Sequence, residues 1–194
     1  YGDINYYGAG IANIMTRSNY NGDINYYGAG GANIIAHTAL YGNVNFYGAG
    51  VANVITLMGR SGDVNFYGTG GANLITHIAA AGSVNFYGAG GANVITRVGY
   101  RGDVRFYGAG MANIVTMVTT SYGNLSVRAA GIGNVITKKG WGTTNAWLGG
   151  AANVVTVIGD GHYELYAVGG ANISSRTGDG FTRVSFLGRA NIHT

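Results

Sequence analysis

One pattern governs this chain: Gly, seven residues, Gly, two residues, Asn. It occurs ten times, ending at Asn13, Asn33, Asn53, Asn73, Asn93, Asn113, Asn134, Asn153, Asn172 and Asn191. The first six copies are spaced by 20 residues, one step of 21 follows, and the last three steps are of 19. The interval from the first Gly to the Asn never changes, as in Gly2 to Asn13 and Gly180 to Asn191. All length variation therefore lies between an Asn and the next Gly. One connection in the unit is fixed, and the other tolerates an added or lost residue, as a surface loop does. A period this short means a stacked repeat architecture, in which a unit buries its apolar face only against its neighbours.

Within a unit the pattern predicts two short strands. The first reads "DINYY" at Asp3–Tyr7 or "SVNFY" at Ser83–Tyr87, the second "ANVIT" at Ala92–Thr96. Both are rich in β-branched and aromatic residues, which suit a pleated surface. A Gly-Ala-Gly or Gly-Thr-Gly turn separates them. Helix is excluded, because each interior Gly would cost about 1 kcal/mol relative to Ala. The expected fold is all-β: a parallel β-solenoid of about ten coils, each stacked about 4.8 Å above the last. The absence of Pro agrees, since nearly every backbone N–H is then needed in the ladder. An antiparallel β meander is the alternative. The solenoid is preferred because it lays identical positions on one another, which gives a reason for their identity.

Composition narrows the class. The chain holds 37 Gly in 194 residues, a proportion often linked to disorder, but 47% of residues are hydrophobic and 12% aromatic, enough to build a core. Only 9% are charged, against about 25% in ordinary domains. There is no Cys, hence no disulfide and no Cys-based metal site. The net charge of +4 is dispersed, with Lys138–Lys139 the only adjacent basic pair, so no nucleic-acid partner is expected. No apolar run is long enough for a membrane-spanning helix, and the N-terminus does not read as a signal peptide. The chain starts and stops within the pattern, as a piece of a longer array would.

Alternation assigns faces. In the first strand Ile4, Ile24, Val44, Val64, Val84 and Val104, with Tyr6, Tyr26, Phe46, Phe66, Phe86 and Phe106, form the expected core ladders. The opposite face carries an Asn row and an outward tyrosine row: Tyr7, Tyr27, Tyr47, Tyr67, Tyr87 and Tyr107. In the second strand the Arg97 position varies freely (Arg17, His37, Leu57, His77, Met117), which reads as outward. Strict alternation then turns Ile35, Ile55, Ile75 and Ile95 outward too, as an exposed aliphatic stripe and interaction surface. A bulge near Asn93 would instead return Ile95 to the core. The same alternation points Thr56, Thr76, Thr96 and Thr116 inward, which counts against an ice-binding face. The repeated Asn is expected to form a buried structural ladder, its amides bonded along the axis and to the Gly turn.

Catalytic chemistry is not expected. His37 and His77 lie two coils apart, about 10 Å, too far to share a metal. Asp3, Asp23, Asp63 and Asp103 follow Gly and read as turn residues. "GDGHYEL" and "GDGFTRV" lack the tandem form of a calcium nonapeptide, and no Gly-x-Gly match has a phosphate loop's strand–helix context. No cofactor and no small-molecule substrate are expected. From Leu125 the aromatic pair gives way to Val127-Arg128, Ala146-Trp147, Leu165-Tyr166 and Val184-Ser185, so the core must change shape there.

The ten-fold pattern resembles the N-terminal repeats of the multifunctional-autoprocessing repeats-in-toxin (MARTX) family. Residues 1–121 look like its 20-residue A-type repeats, as in "GDVNFYGTGGANLIT". Residues 122–194 look mainly like its 19-residue B-type repeats, as in "GDGHYELYAVGGANISSRTGDG", continuous with the first array. The resemblance covers essentially the whole chain. It implies a non-enzymatic segment of a very large secreted bacterial toxin, extracellular and associated with the target-cell membrane, that helps form a pore and deliver effector domains. The implied partners are that membrane or neighbouring copies of the array. A stalk or adhesin solenoid is the competing reading, and an ice-binding solenoid ranks last.

Overall fold

The computed structural model describes residues 2–194. Ten strands follow in order: β1 (Ile4–Asn21), β2 (Ile24–Tyr41), β3 (Val44–Ser61), β4 (Val64–Ala81), β5 (Val84–Gly99), β6 (Val104–Tyr122), β7 (Leu125–Trp141), β8 (Thr144–Ile158), β9 (Tyr163–Thr177) and β10 (Thr182–His193). They form one parallel sheet in sequential order, and no helix occurs among the described residues. Each strand is one full coil of a β-solenoid. The meander is excluded, because every neighbouring pair is parallel. Like positions stack on like: Asn73 pairs with Asn93 and Asn93 with Asn113.

Each coil has two sides around a shared core. In β3 the inward residues are Val44 and Phe46 on the first side and Asn53, Ile55 and Leu57 on the second. The change from even to odd marks the corner. The residue after Gly-Ala-Gly, such as Gly91, drops out of the pairing, and two successive residues point outward there. Pairing is otherwise continuous through the Gly-Ala-Gly segment. The two predicted strands thus merge into a single bent run of hydrogen-bonded backbone.

The fixed spacing of the motif follows from close approach. A Cβ on Gly90 would lie 2.6 Å from the Asn73 amide nitrogen and 2.5 Å from the Gly70 carbonyl oxygen. The second Gly of the pattern leaves the space into which the Asn amides project. The Asn ladder is as expected: each Nδ2 donates to the Oδ1 of the next coil at 2.7–2.9 Å, unbroken from Asn13 to Asn191. Most also approach a corner carbonyl of the next coil, as Asn93 Nδ2 does with Ala109 O at 3.1 Å.

The second corner is sealed by the small polar residue that follows Gly. Asn43 N–H donates to Asp23 Oδ1, Asp63 N–H to Asn43 Oδ1, Ser83 N–H to Asp63 Oδ1 and Asp103 N–H to Ser83 Oγ, at 2.7–3.2 Å. Any side chain with an acceptor one or two bonds beyond Cβ serves, which explains why Asp, Asn and Ser alternate there. The neighbouring Gly102 has φ 134°, and a Cβ on it would meet Gly82 O at 1.9 Å. The extra residue of the 21-residue step is absorbed at this corner, as a register shift between Val118 and Tyr122.

The core keeps its ladder while its filling changes. Phe46, Phe66, Phe86 and Phe106 stack at 4.8–4.9 Å between centroids, within 4° of parallel. The rings crowd the adjoining Gly row: a Cβ on Gly108 would sit 2.7 Å from Phe106 Cζ and 2.9 Å from Phe86 Cε1, and one on Gly88 3.1 Å from Phe66 Cε1. In β7 to β9 the ring is lost and that Gly becomes Ala129, Leu148 and Ala167, all buried. The volume moves two residues along the strand and the register is kept.

Candidate interaction surface

The first side of the coil presents two outward rows. The Asn row forms a second ladder: Asn25 Nδ2 donates to Asn5 Oδ1, and so on to Asn85, at 2.7–2.9 Å, with Arg105 Nη1 reaching Asn85 Oδ1 at 3.2 Å. Beside it, Tyr7 to Tyr107 stack at 5.0–5.1 Å, within 7° of parallel. Tyr7, Tyr27, Tyr47, Tyr67 and Tyr87 are exposed, as the alternation predicts. Ring faces are covered by the rings above and below, so the edges remain open. Partial burial and the neighbouring phenols Tyr27 and Tyr67 raise the Tyr47 pKa, and the hydroxyl stays a neutral donor. The stack continues past its last tyrosine: the Arg128 guanidinium lies 5.5 Å from the Tyr107 centroid and 5.2 Å from that of Trp147.

The second side corrects two expectations. Ile35, Ile55, Ile75 and Ile95 are buried in the core and offer no surface. An irregularity near Asn93 does return Ile95 to the core: parity changes at the corner where Gly91 drops out of the pairing. The freely varying row also points inward: His37, Leu57, His77, Arg97, Met117 and Lys138 are all buried. Its cations reach carbonyls of the second corner. Arg97 Nε and Nη2 donate to Gly82 O at 3.0 and 2.9 Å, and Nη2 also to Arg101 O. Lys138 Nζ donates to Gly140 O and Gly142 O at 3.0 and 2.9 Å. Burial and the Arg176 charge push the Lys138 pKa down to about 8. Burial, then the Arg97 charge, holds the His77 pKa at about 4, with the Gly62 backbone pulling weakly the other way. His37 is lowered by burial and Arg17, and its Nε2 meets Asn19 Oδ1 at 3.1 Å. Among the described residues no cluster of His, Asp and Glu is arranged to hold a metal.

What faces outward instead is the aliphatic row one residue before Ile95, at Val94 and its equivalents. Ile14, Ile34, Leu74, Ile114, Val135, Ile173 and Ile192 are exposed, with Val54, Val94 and Val154 half-buried in the same row. The threonine row, Thr56 to Thr156, is also outward and half-buried, which removes the alternation argument against it.

The family model of the RtxA repeat matches six segments: residues 8–25, 28–45, 48–65, 68–85, 88–105 and 129–144. Together they cover just over half of the chain and pass over the coil that holds the register shift. No curated protein and no solved structure was found to match.

Proposed function

The chain belongs to the RtxA repeat family, and from that premise we propose that it is a non-enzymatic rod within a large secreted bacterial toxin, engaging the target-cell membrane in support of pore formation and effector delivery. RtxA repeats point to a repeat-in-toxin protein, and the β-solenoid is a structural type of repeat. The observation that carries the membrane role is the outward tyrosine stack. Tyrosine rings settle at the headgroup level of a bilayer, with apolar bodies and a hydroxyl that keeps a polar partner. The flanking Asn ladder offers amide groups at the same spacing. No helix among the described residues is long and apolar enough to cross a membrane. An open sheet edge cannot sit in hydrocarbon, so the rod would lie at the interface until assembly covers its edges.

Co-sedimentation with phosphatidylcholine–phosphatidylserine vesicles tests this. The intact chain should bind, and Tyr67→Ser with Tyr87→Ser should weaken binding several-fold while the β circular-dichroism signal stays. No binding, or binding indifferent to the two tyrosines, would refute it. The stalk or adhesin reading draws support from the axial ladders, which stiffen the rod as a spacer; a receptor glycan bound without vesicle binding would favour it.

A further inference from the structure

The second outward side of the coil has no part in the tyrosine contact. Three rows cross it: the aliphatic row of Leu74, Val94 and Ile114, the threonine row of Thr96, and a third that is largely apolar in the middle coils. Among the outward residues of these rows the one charge is Lys139; every other charged side chain lies on the corners, in the inner row or on the tyrosine side. Pairing from β1 to β6 runs without a register shift, so the three rows continue unbroken from coil to coil.

We propose that this face binds a second copy of itself, joining two rods side by side. Ten coils at about 4.8 Å and three rows at about 6.7 Å give a patch of about 48 by 20 Å, near 1,000 Å² per copy. A stable protein–protein interface needs about 800 Å² per partner. Nothing across that patch repels a like surface, apart from the single lysine. Period decides the occupant. Only a partner with the same axial rise stays in step with every coil, and a second copy has that rise by construction. A two-fold axis lying in the interface sets threonine row against threonine row, so the hydroxyls can bond to each other. Lipid tails would leave those hydroxyls without partners, at a cost.

Sedimentation velocity across the micromolar range tests it on the full chain. Wild type should show a concentration-dependent dimer. Leu74→Lys with Ile114→Lys should weaken it at least about tenfold, with the β signal kept, because Lys139 already sits outward on this side. Asn65→Lys with Asn85→Lys adds the same charge on the tyrosine side, next to Arg105, and should leave the dimer unchanged. A monomer at all concentrations overturns the proposal, as does a dimer untouched by the first pair or equally weakened by the second. A monomer whose vesicle binding or thermal hysteresis is lost in Leu74→Lys with Ile114→Lys also overturns it, assigning the face to lipid or to ice. The vesicle assay on Tyr67 and Tyr87 reads the other side, so the two proposals fail separately.

Discussion

At the scale of single residues, position in the ladder matters more than residue type. Asn93 bonds to Asn73 and Asn113, and Asn85 to Asn65 and Arg105, but Asn93 is buried and Asn85 is not. Asn93→Ala leaves Asn73 Nδ2, Asn113 Oδ1 and Ala109 O short of a partner out of water, at about 1–3 kcal/mol. Asn85→Ala exposes its neighbours to solvent and should cost well under 1 kcal/mol. Thermal melts of the two variants check the order. His77 sets a second residue-scale expectation. Its pKa of about 4 lies below the ordinary 6.5, so the folded state disfavours the proton. Above pH 6.5 it contributes no pH dependence. As pH falls from 6.5 to 4 the unfolded chain takes up a proton that the folded one refuses, and stability is lost, by on the order of 3 kcal/mol at most. His37 acts in the same direction. His77→Leu, which copies Leu57, should flatten the denaturation midpoint between pH 7 and pH 4.5.

At the scale of the coil, the exchange of Phe plus Gly for a smaller group plus Ala is a coupled pair. Gly108→Ala alone drives a methyl into the Phe106 ring, and Phe106→Val alone leaves a void. Together they reproduce Val127 and Ala129 of the next coil. A double-mutant cycle should therefore show favourable coupling of about 1 kcal/mol or more. The corners differ in their tolerance too. One residue inserted after Val98, in the variable connection, should be absorbed as it is between Val118 and Tyr122. One inserted after Tyr87 shifts alternation through the corner and turns apolar side chains outward; it should abolish cooperative melting.

At the scale of the molecule, the stacking of identical positions was legible because identity is what stacking rewards. Asn on Asn, ring on ring and Gly beneath ring each constrain the residue above and below. The first side of the coil, including the outward Tyr7 to Tyr107, followed from alternation alone. The second side did not. Variation at Arg17, His37, Leu57, His77 and Met117 imitates a solvent face, yet the space beside the second corner accepts either an apolar side chain or a cation that donates to corner carbonyls. The signal was present all the same: Asn93, Ile95 and Arg97 share one parity, so a buried Asn93 carries the other two inward with it.

The two Asn ladders have a direction. In the buried one every Nδ2 donates toward the C-terminal coil; in the outer one every Nδ2 donates toward the N-terminal coil. Each is a string of aligned amide dipoles, and the two strings point opposite ways. Over the first five coils their axial moments oppose; past Asn85, where Arg105 ends the outer string, only the buried one continues, so each further coil adds to a moment that nothing offsets, and one reversed amide would set donor against donor on one side and acceptor against acceptor on the other.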